Sequence, residues 1–228
     1  MQFAPLYPIV YQILKPAFSK CLWAGDETSR AIALTFDDGP HPQHTPQLLE
    51  VLDRYGVQAS FFWLGVCVER SPAVAKEACR RGHWIGLHGW THRSFPCLAG
   101  EELKQSLERT QAAIAGACQL DLEYVRQHVR DVRPPNGFFT PQTLRWLQEW
   151  DYRPVMWSVV PEDWVRPGVP VVVRRVMQQV KPGSLIVLHD GYVGGEDAAE
   201  TAAELIPQLL DRGYKFVSVN QLWQAVQC

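Results

Sequence analysis

The chain has 228 residues, 46% of them hydrophobic and 20% charged, a balance that supports one buried core and excludes a disordered, collagen-like or disulfide-dense miniature protein. A total of 22 Lys plus Arg against 24 Asp plus Glu leaves a formal charge of −2, so there is no electrostatic footprint for a phosphate backbone and nucleic acid is not an expected partner. Its 6 cysteines contain no CxxC pair, which argues against a thiolate zinc site or a thioredoxin-like motif and predicts mainly free or buried thiols.

The first segment, MQFAPLYPIVYQILKPAF, lacks the basic region and small-residue cleavage site of a secretory signal. No window approaches the roughly 18 to 20 apolar residues of a spanning helix. Phe3, Leu6, Tyr7, Val10, Tyr11 and Leu14 recur at near-helical spacing, so residues 1–30 are expected to pack on the domain or to rest as a short amphipathic stretch on a membrane surface. A cytoplasmic or inner-membrane-face location is the corresponding expectation. Residues 31–228 read as one domain, without linker, repeat or low-complexity tract.

From residue 31 short apolar runs alternate with helical patterns punctuated by Gly or Pro. Ala31 to Phe36 reads as a strand and Thr45 to Tyr55 as a helix, with Thr45 as N-cap, Pro46 in the first turn and Gly56 as the stop. Ala59 to Leu64 is a second strand, Ser71-Pro72 opens a helix that Gly82 closes, and Trp84 to Leu87 is a third strand. A long helix from Glu101 to Cys118 follows, and then a stretch from Leu122 that suits extended chain or loop and ends as a strand near Arg133. Helices at Pro141 to Glu149, Pro170 to Val180 and Ala198 to Asp211 alternate with strands at Val155 to Val159, Leu185 to Leu188 and Phe216 to Val219, and Asn220 is read as the cap of a last short helix. Several strands are apolar throughout, as expected of a parallel sheet covered on both faces. Seven such runs in series predict an α/β fold closed, or nearly closed, into a barrel; an open doubly wound sheet is the alternative, although no GxGxxG turn follows the first strand.

Polar residues of unusual type gather just past strand ends. Asp37 and Asp38 follow the first strand, His88 and His92 the third, Arg133 the fourth, Asp163 the fifth and His189 the sixth; in a parallel barrel these ends share the face on which active sites are built. Histidines 4 apart would lie on one side of a helical turn, at a spacing that suits one metal ion. Two His and one Asp leave positions open for water and substrate, which is the catalytic arrangement of Zn²⁺ or a similar divalent ion, and the other Asp could serve as base. Trp90 and Trp164 adjoin these motifs and could stack on a sugar or wall its pocket, whereas Trp63 and Trp157 are explained by packing within their strands.

Leu34-Thr35-Phe36-Asp37-Asp38-Gly39-Pro40, with His41-Pro42 and Thr45-Pro46 behind it, resembles the first motif of the polysaccharide deacetylase family, the NodB-homology or carbohydrate esterase family 4 domain. Ala59-Ser60-Phe61-Phe62, Gly82 to His88 with His92, Arg133-Pro134-Pro135, Asp163-Trp164, and Leu185 to Asp190 resemble its later motifs in order. That resemblance implies a distorted (β/α)7 barrel in a single domain and a metal-dependent site. It assigns Asp38, His88 and His92 to the metal, most often Zn²⁺ with Co²⁺ or another divalent ion as alternatives. Asp37 becomes the general base, Arg133 its orienting partner, and His189 the general acid kept protonated by Asp163. Substrate contacts fall to the backbone N–H of Asn136, to Trp90 and Trp164, and to Val187.

Three positions depart from the family pattern: Asn136 stands where an aromatic residue is common, Gly89 where a hydroxyl residue is usual, and Val160 where the fourth motif begins with Asp. None is an expected ligand, acid or base. The expected activity is removal of N-acetyl groups from an N-acetylglucosamine-containing glycan. An O-acetyl xylan esterase, a ring-opening amidohydrolase, an Fe(II) oxygenase and a catalytically silent glycan-binding protein are the alternatives.

Overall fold

The first strand, β1 (Ala31–Asp37), is buried along nearly its whole length because parallel partners flank it and helices cover the sheet. In the computed structural model, which describes residues 6–227, β1 pairs over Thr35–Asp37 with β2 (Ser60–Trp63). β2 pairs with β3 (Trp84–Leu87), β3 with β4 (Asp131–Val132), and β4 with β5 (Arg153–Pro154). On its other edge β1 pairs with β6 (Leu185–His189), and its first two residues pair with β7 (Lys215–Phe216). A bridge from Val159 to Ile186 brings the chain beyond β5 back to β6, so the sheet curls round toward closure instead of running open from β5 to β6. The fold is a single-domain α/β structure, a distorted (β/α)7 barrel. Its distortion has a visible source: β4, β5 and β7 are two residues each, and Leu22 bridges to Val155 from outside the regular strands.

Helices α2 (His44–Arg54), α3 (Gly65–Arg70), α4 (Pro72–Arg80), α5 (Gly100–Cys118) and α6 (Leu122–His128) cover one part of the barrel. The rest is covered by α7 (Pro141–Glu149), α8 (Val169–Gln179), α9 (Ala198–Asp211) and α10 (Val219–Gln227). Their buried faces join the strands in one large core in which Phe36 stacks on Phe61 at 5.5 Å. A second cluster of Leu22, Ala33, Phe62, Leu185, Val219 and Leu222 lies against α10, at the end of the barrel opposite the strand C-termini.

Upstream of β1, helix α1 (Tyr7–Ala17) packs Tyr11 and Leu14, with Phe18 beyond its end, against Trp23, Leu144 and Met156. Its other face leaves Leu6, Ile9 and Ile13 exposed. Phe3 and Cys228 lie outside the described residues. Among the described residues, no helix is long and apolar enough to cross a membrane.

Several sequence-based boundaries are corrected. The stretch read as extended chain or loop contains α6, capped by Asp121, whose side chain accepts from the Tyr124 amide at 2.9 Å. Thr45 lies inside α2 rather than capping it, and its hydroxyl accepts from the His41 amide at 2.8 Å while donating to Asp190 at 2.5 Å. Beyond β5 the segment 155–159 makes only isolated bridges, because the Ser158 and Val159 amides both turn to the Leu185 carbonyl. Asn220 is internal to α10; Ser218 supplies the capping bond by accepting from the Gln221 amide at 3.3 Å. Cys79 and Cys118 are joined by a disulfide while Cys21, Cys67 and Cys97 are free, the first two of them buried, so the expectation of mainly free or buried thiols holds among the described residues with this one pair as the exception.

Candidate active site

Successive side chains of a straight strand point to opposite faces, so Asp37 and Asp38 need a break in the backbone to share a cavity. Asp38 provides it by taking a left-handed conformation (φ 71°), for which Asp is among the better suited non-glycine residues. Gly39 is required beneath the turn, because a Cβ there would come within 2.5 Å of the Asp190 carboxylate. Asp190 is itself fully buried, and burial pushes its carboxyl up to about 7 against the opposing hydrogen bond from Thr45.

Asp37 is gripped from inside the barrel. Arg133 Nη1 donates to Asp37 Oδ1 at 2.6 Å and to Thr35 Oγ1 at 2.8 Å, and its Nη2 donates to the Met156 carbonyl at 3.0 Å. The guanidinium carbon lies 4.1 Å over the Phe62 ring. With Arg133 only 2% exposed, burial draws its pKa down while Asp37 opposes that shift. The pairing fixes the carboxylate's orientation in a region of weak solvent screening.

Asp38 Oδ1 stands 3.5 Å from both His88 Nε2 and His92 Nε2. It is buried and has no hydrogen-bond partner, which is costly for a carboxylate oxygen unless a cation completes the site. His88 Nδ1 donates to the Arg133 carbonyl at 2.6 Å, an arrangement that turns the Nε2 lone pair toward Asp38. Burial holds the His88 pKa below its usual value and so favours the neutral, ligating form. The three side chains offer ligand atoms within 4.8 Å of one another, and the donor set fits a divalent ion with open positions.

The histidine pair does not sit on a helical turn as the spacing predicts. Gly89 adopts φ 90°, and the Trp90 amide donates to Ser106 Oγ at 2.7 Å, so the segment bends and converges the imidazoles by another route. This bend also corrects the reading of Trp90. Its ring lies under the Arg109 guanidinium at 3.5 Å and against Gly65, away from the cavity.

Across the cavity, Asp163 accepts from the His189 amide at 2.7 Å and faces His189 Nδ1 at 2.9 Å. Burial alone would lower the His189 pKa; the Asp163 carboxylate, with Asp38 and Asp37 adding to its effect, outweighs burial and the pKa is pushed up to about 9. The protonated imidazole is thus the form held at neutral pH.

The cavity between these groups measures about 510 Å³. All the sequence-derived site residues except Asp163, which stands behind His189, and Trp90 line it, Asn136, Trp164 and Val187 included. Asn136 takes φ 59° and donates from Nδ2 to Ser94 Oγ at 2.9 Å. Sequence reasoning missed Tyr7, Cys67, Phe138, Trp157 and Tyr192, which also line the cavity. Trp157 was expected to pack within a strand, but the irregular run after β5 releases it to the cavity; no local signal marks Tyr7.

Residues 24–155 match the family model described as polysaccharide deacetylase. A peptidoglycan-N-acetylglucosamine deacetylase of Bacillus cereus is 34% identical over 205 residues, covering 88% of this chain and 91% of the relative. A chitooligosaccharide deacetylase of Bradyrhizobium is 34% identical over 205 residues, with 85% and 91% covered. Among solved structures, a peptidoglycan N-acetylglucosamine deacetylase in complex with 4-naphthalen-1-yl-N-oxidanyl-benzamide superposes with a TM-score of 0.83 at 27% identity, covering 90% of this chain and 94% of the other. A match to the family model over more than half the sequence, with relatives aligned along nearly their full lengths, makes this chain a member of the polysaccharide deacetylase family.

Proposed function

We propose that the chain is a metal-dependent hydrolase that removes N-acetyl groups from an N-acetylglucosamine-containing glycan. The observation that carries this reading is the meeting, in one cavity, of the unpartnered Asp38 oxygen and two imidazole Nε2 atoms with the Asp37–Arg133 and His189–Asp163 pairs. Asp38, His88 and His92 would hold the ion, Zn²⁺ best suiting two imidazoles and a carboxylate with Co²⁺ as an alternative. When bound, such an ion polarises the amide carbonyl and makes water a better nucleophile near neutral pH.

The remaining work falls to side chains. Asp37, fixed by Arg133, accepts the proton of the attacking water. His189, held protonated by Asp163, donates a proton to the amide nitrogen as its bond to the acetyl carbon breaks, so that the amine leaves neutral. Trp164 and Val187 supply apolar wall around the acetyl group, and Asn136 lies on the same cavity surface.

The test is acetate release from N-acetylglucosamine oligomers by wild type and Asp37→Asn, with bound metal quantified in both. The expected result is a loss of about 100- to 10,000-fold with metal retained. Full activity in the variant removes Asp37 as base. Acetate released from acetylated xylan alone selects the esterase, and oligomer binding without acetate selects a silent binding protein.

A further inference from the structure

Tyr7 is contributed by α1, upstream of the 24–155 span that matches the family model, yet its side chain lines the catalytic cavity. Its ring stands edge-on to Trp157 at 5.4 Å and 90° and to Trp164 at 6.4 Å and 79°. Trp164 in turn stands edge-on to His189 at 5.2 Å. Both tryptophans therefore meet through Tyr7, and the three rings form a continuous wall beside the proposed acid. The wall is braced from behind, with Trp23 against Trp157 at 5.7 Å and Tyr11 against Trp23 at 6.4 Å. Lys15 on the same helix pairs with Glu27 at 2.5 Å.

Given the proposed deacetylase chemistry, on which this inference rests, His189 must reach the amide nitrogen. The sugar carrying that nitrogen then lies beside Trp164, and a unit linked to it on that side would have to occupy the place of the Tyr7 ring. We propose that Tyr7 is a specificity-determining residue that ends the substrate cavity at the Trp157–Trp164 side and confines the enzyme to the terminal N-acetylated sugar of a chain or to a short oligosaccharide.

The experiment is positional. An N-acetylglucosamine tetramer, labelled at its reducing end, is treated with zinc-loaded wild type, Tyr7→Phe and Tyr7→Ala, and the deacetylated unit is located by mass spectrometry. Wild type is expected to act at one terminal unit, and Tyr7→Phe to keep that pattern because the ring remains. Tyr7→Ala is expected to raise the internal share at least about threefold, a shift within reach of removing one steric contact. An unchanged pattern in Tyr7→Ala, or wild type acting as readily on internal units, overturns the proposal.

A second measurement is independent of turnover. Calorimetric binding of an N-acetylglucosamine dimer and a hexamer is compared in wild type and Tyr7→Ala. The hexamer should gain nothing over the dimer in wild type and at least about threefold in the variant. If no protein releases acetate and this binding ratio still changes, the boundary stands and the deacetylase reading fails. Acetate release with neither pattern nor ratio altered has the opposite meaning.

Discussion

His189 shows how neighbouring carboxylates, Asp163 foremost with Asp38 and Asp37 behind it, set the proton state of a buried group. Burial disfavours the imidazolium, but Asp163 faces both the ring and the backbone amide of His189, and the pKa rises to about 9. Because the folded-state value lies above the ordinary 6.5, the associated stability is fully present below that pH and is lost as pH rises through about 9. An acid that must be protonated should follow the same limit. We expect kcat/KM to fall along an alkaline limb near pH 9 and Asp163→Asn to move that limb down by about one unit or more. The pH profile of acetate release by both proteins is the measurement; a limb that stays in place would remove Asp163 as its cause.

At the scale of elements, α10 shows how a short helix is pinned to the barrel. The Val219 amide donates to Ser60 Oγ at 3.0 Å on β2, and Ser218 exchanges bonds with Gln221, its Oγ accepting at 3.3 Å and its amide donating to Oε1 at 2.8 Å. Ser218→Ala removes one of these caps and should lower stability by about 1 kcal/mol. Urea unfolding should show this as a lower midpoint at unchanged slope. Such local signals were legible in unequal degree. Helix α7 occupies Pro141–Glu149 as its sequence predicts, with Leu144 and Leu147 buried, because Pro opens it and its apolar stripe is unambiguous. Helix α6 was hidden because Val125 is its sole buried residue, too little to establish a period. The two-residue strands β4, β5 and β7 are too short for any alternation to appear. At the site, the Asp and His residues were legible because their chemistry resides in residue type and in position after a strand. Trp90 was misplaced because adjacency to His88 does not fix direction once Gly89 bends the chain, and Tyr7 was invisible because its position depends on how α1 docks.

For the whole molecule, the barrel separates the end that α10 covers from the end that carries chemistry, so a ligand at the second end acts on global stability through the strand termini. Asp38 follows β1 while His88 and His92 follow β3, and β2 lies between those strands. One ion held by all three would tie together strand ends that do not pair directly, and would answer the unpartnered Asp38 oxygen at the same time. That contact exists only in the folded chain, so metal should stabilise it by mass action, by about 2.7 kcal/mol at a free concentration of 100 times Kd. In a domain of this size the corresponding rise in Tm is roughly 5 to 10 °C. Protein stripped with chelator and titrated with Zn²⁺ should show that rise, dependent on the logarithm of metal concentration, and His92→Ala should lose most of it. His92 is the most exposed of the three, so its removal disturbs packing least and reports on coordination most directly. A wild-type Tm insensitive to metal would sever the link between these three side chains and a bound ion, whatever the activity measured.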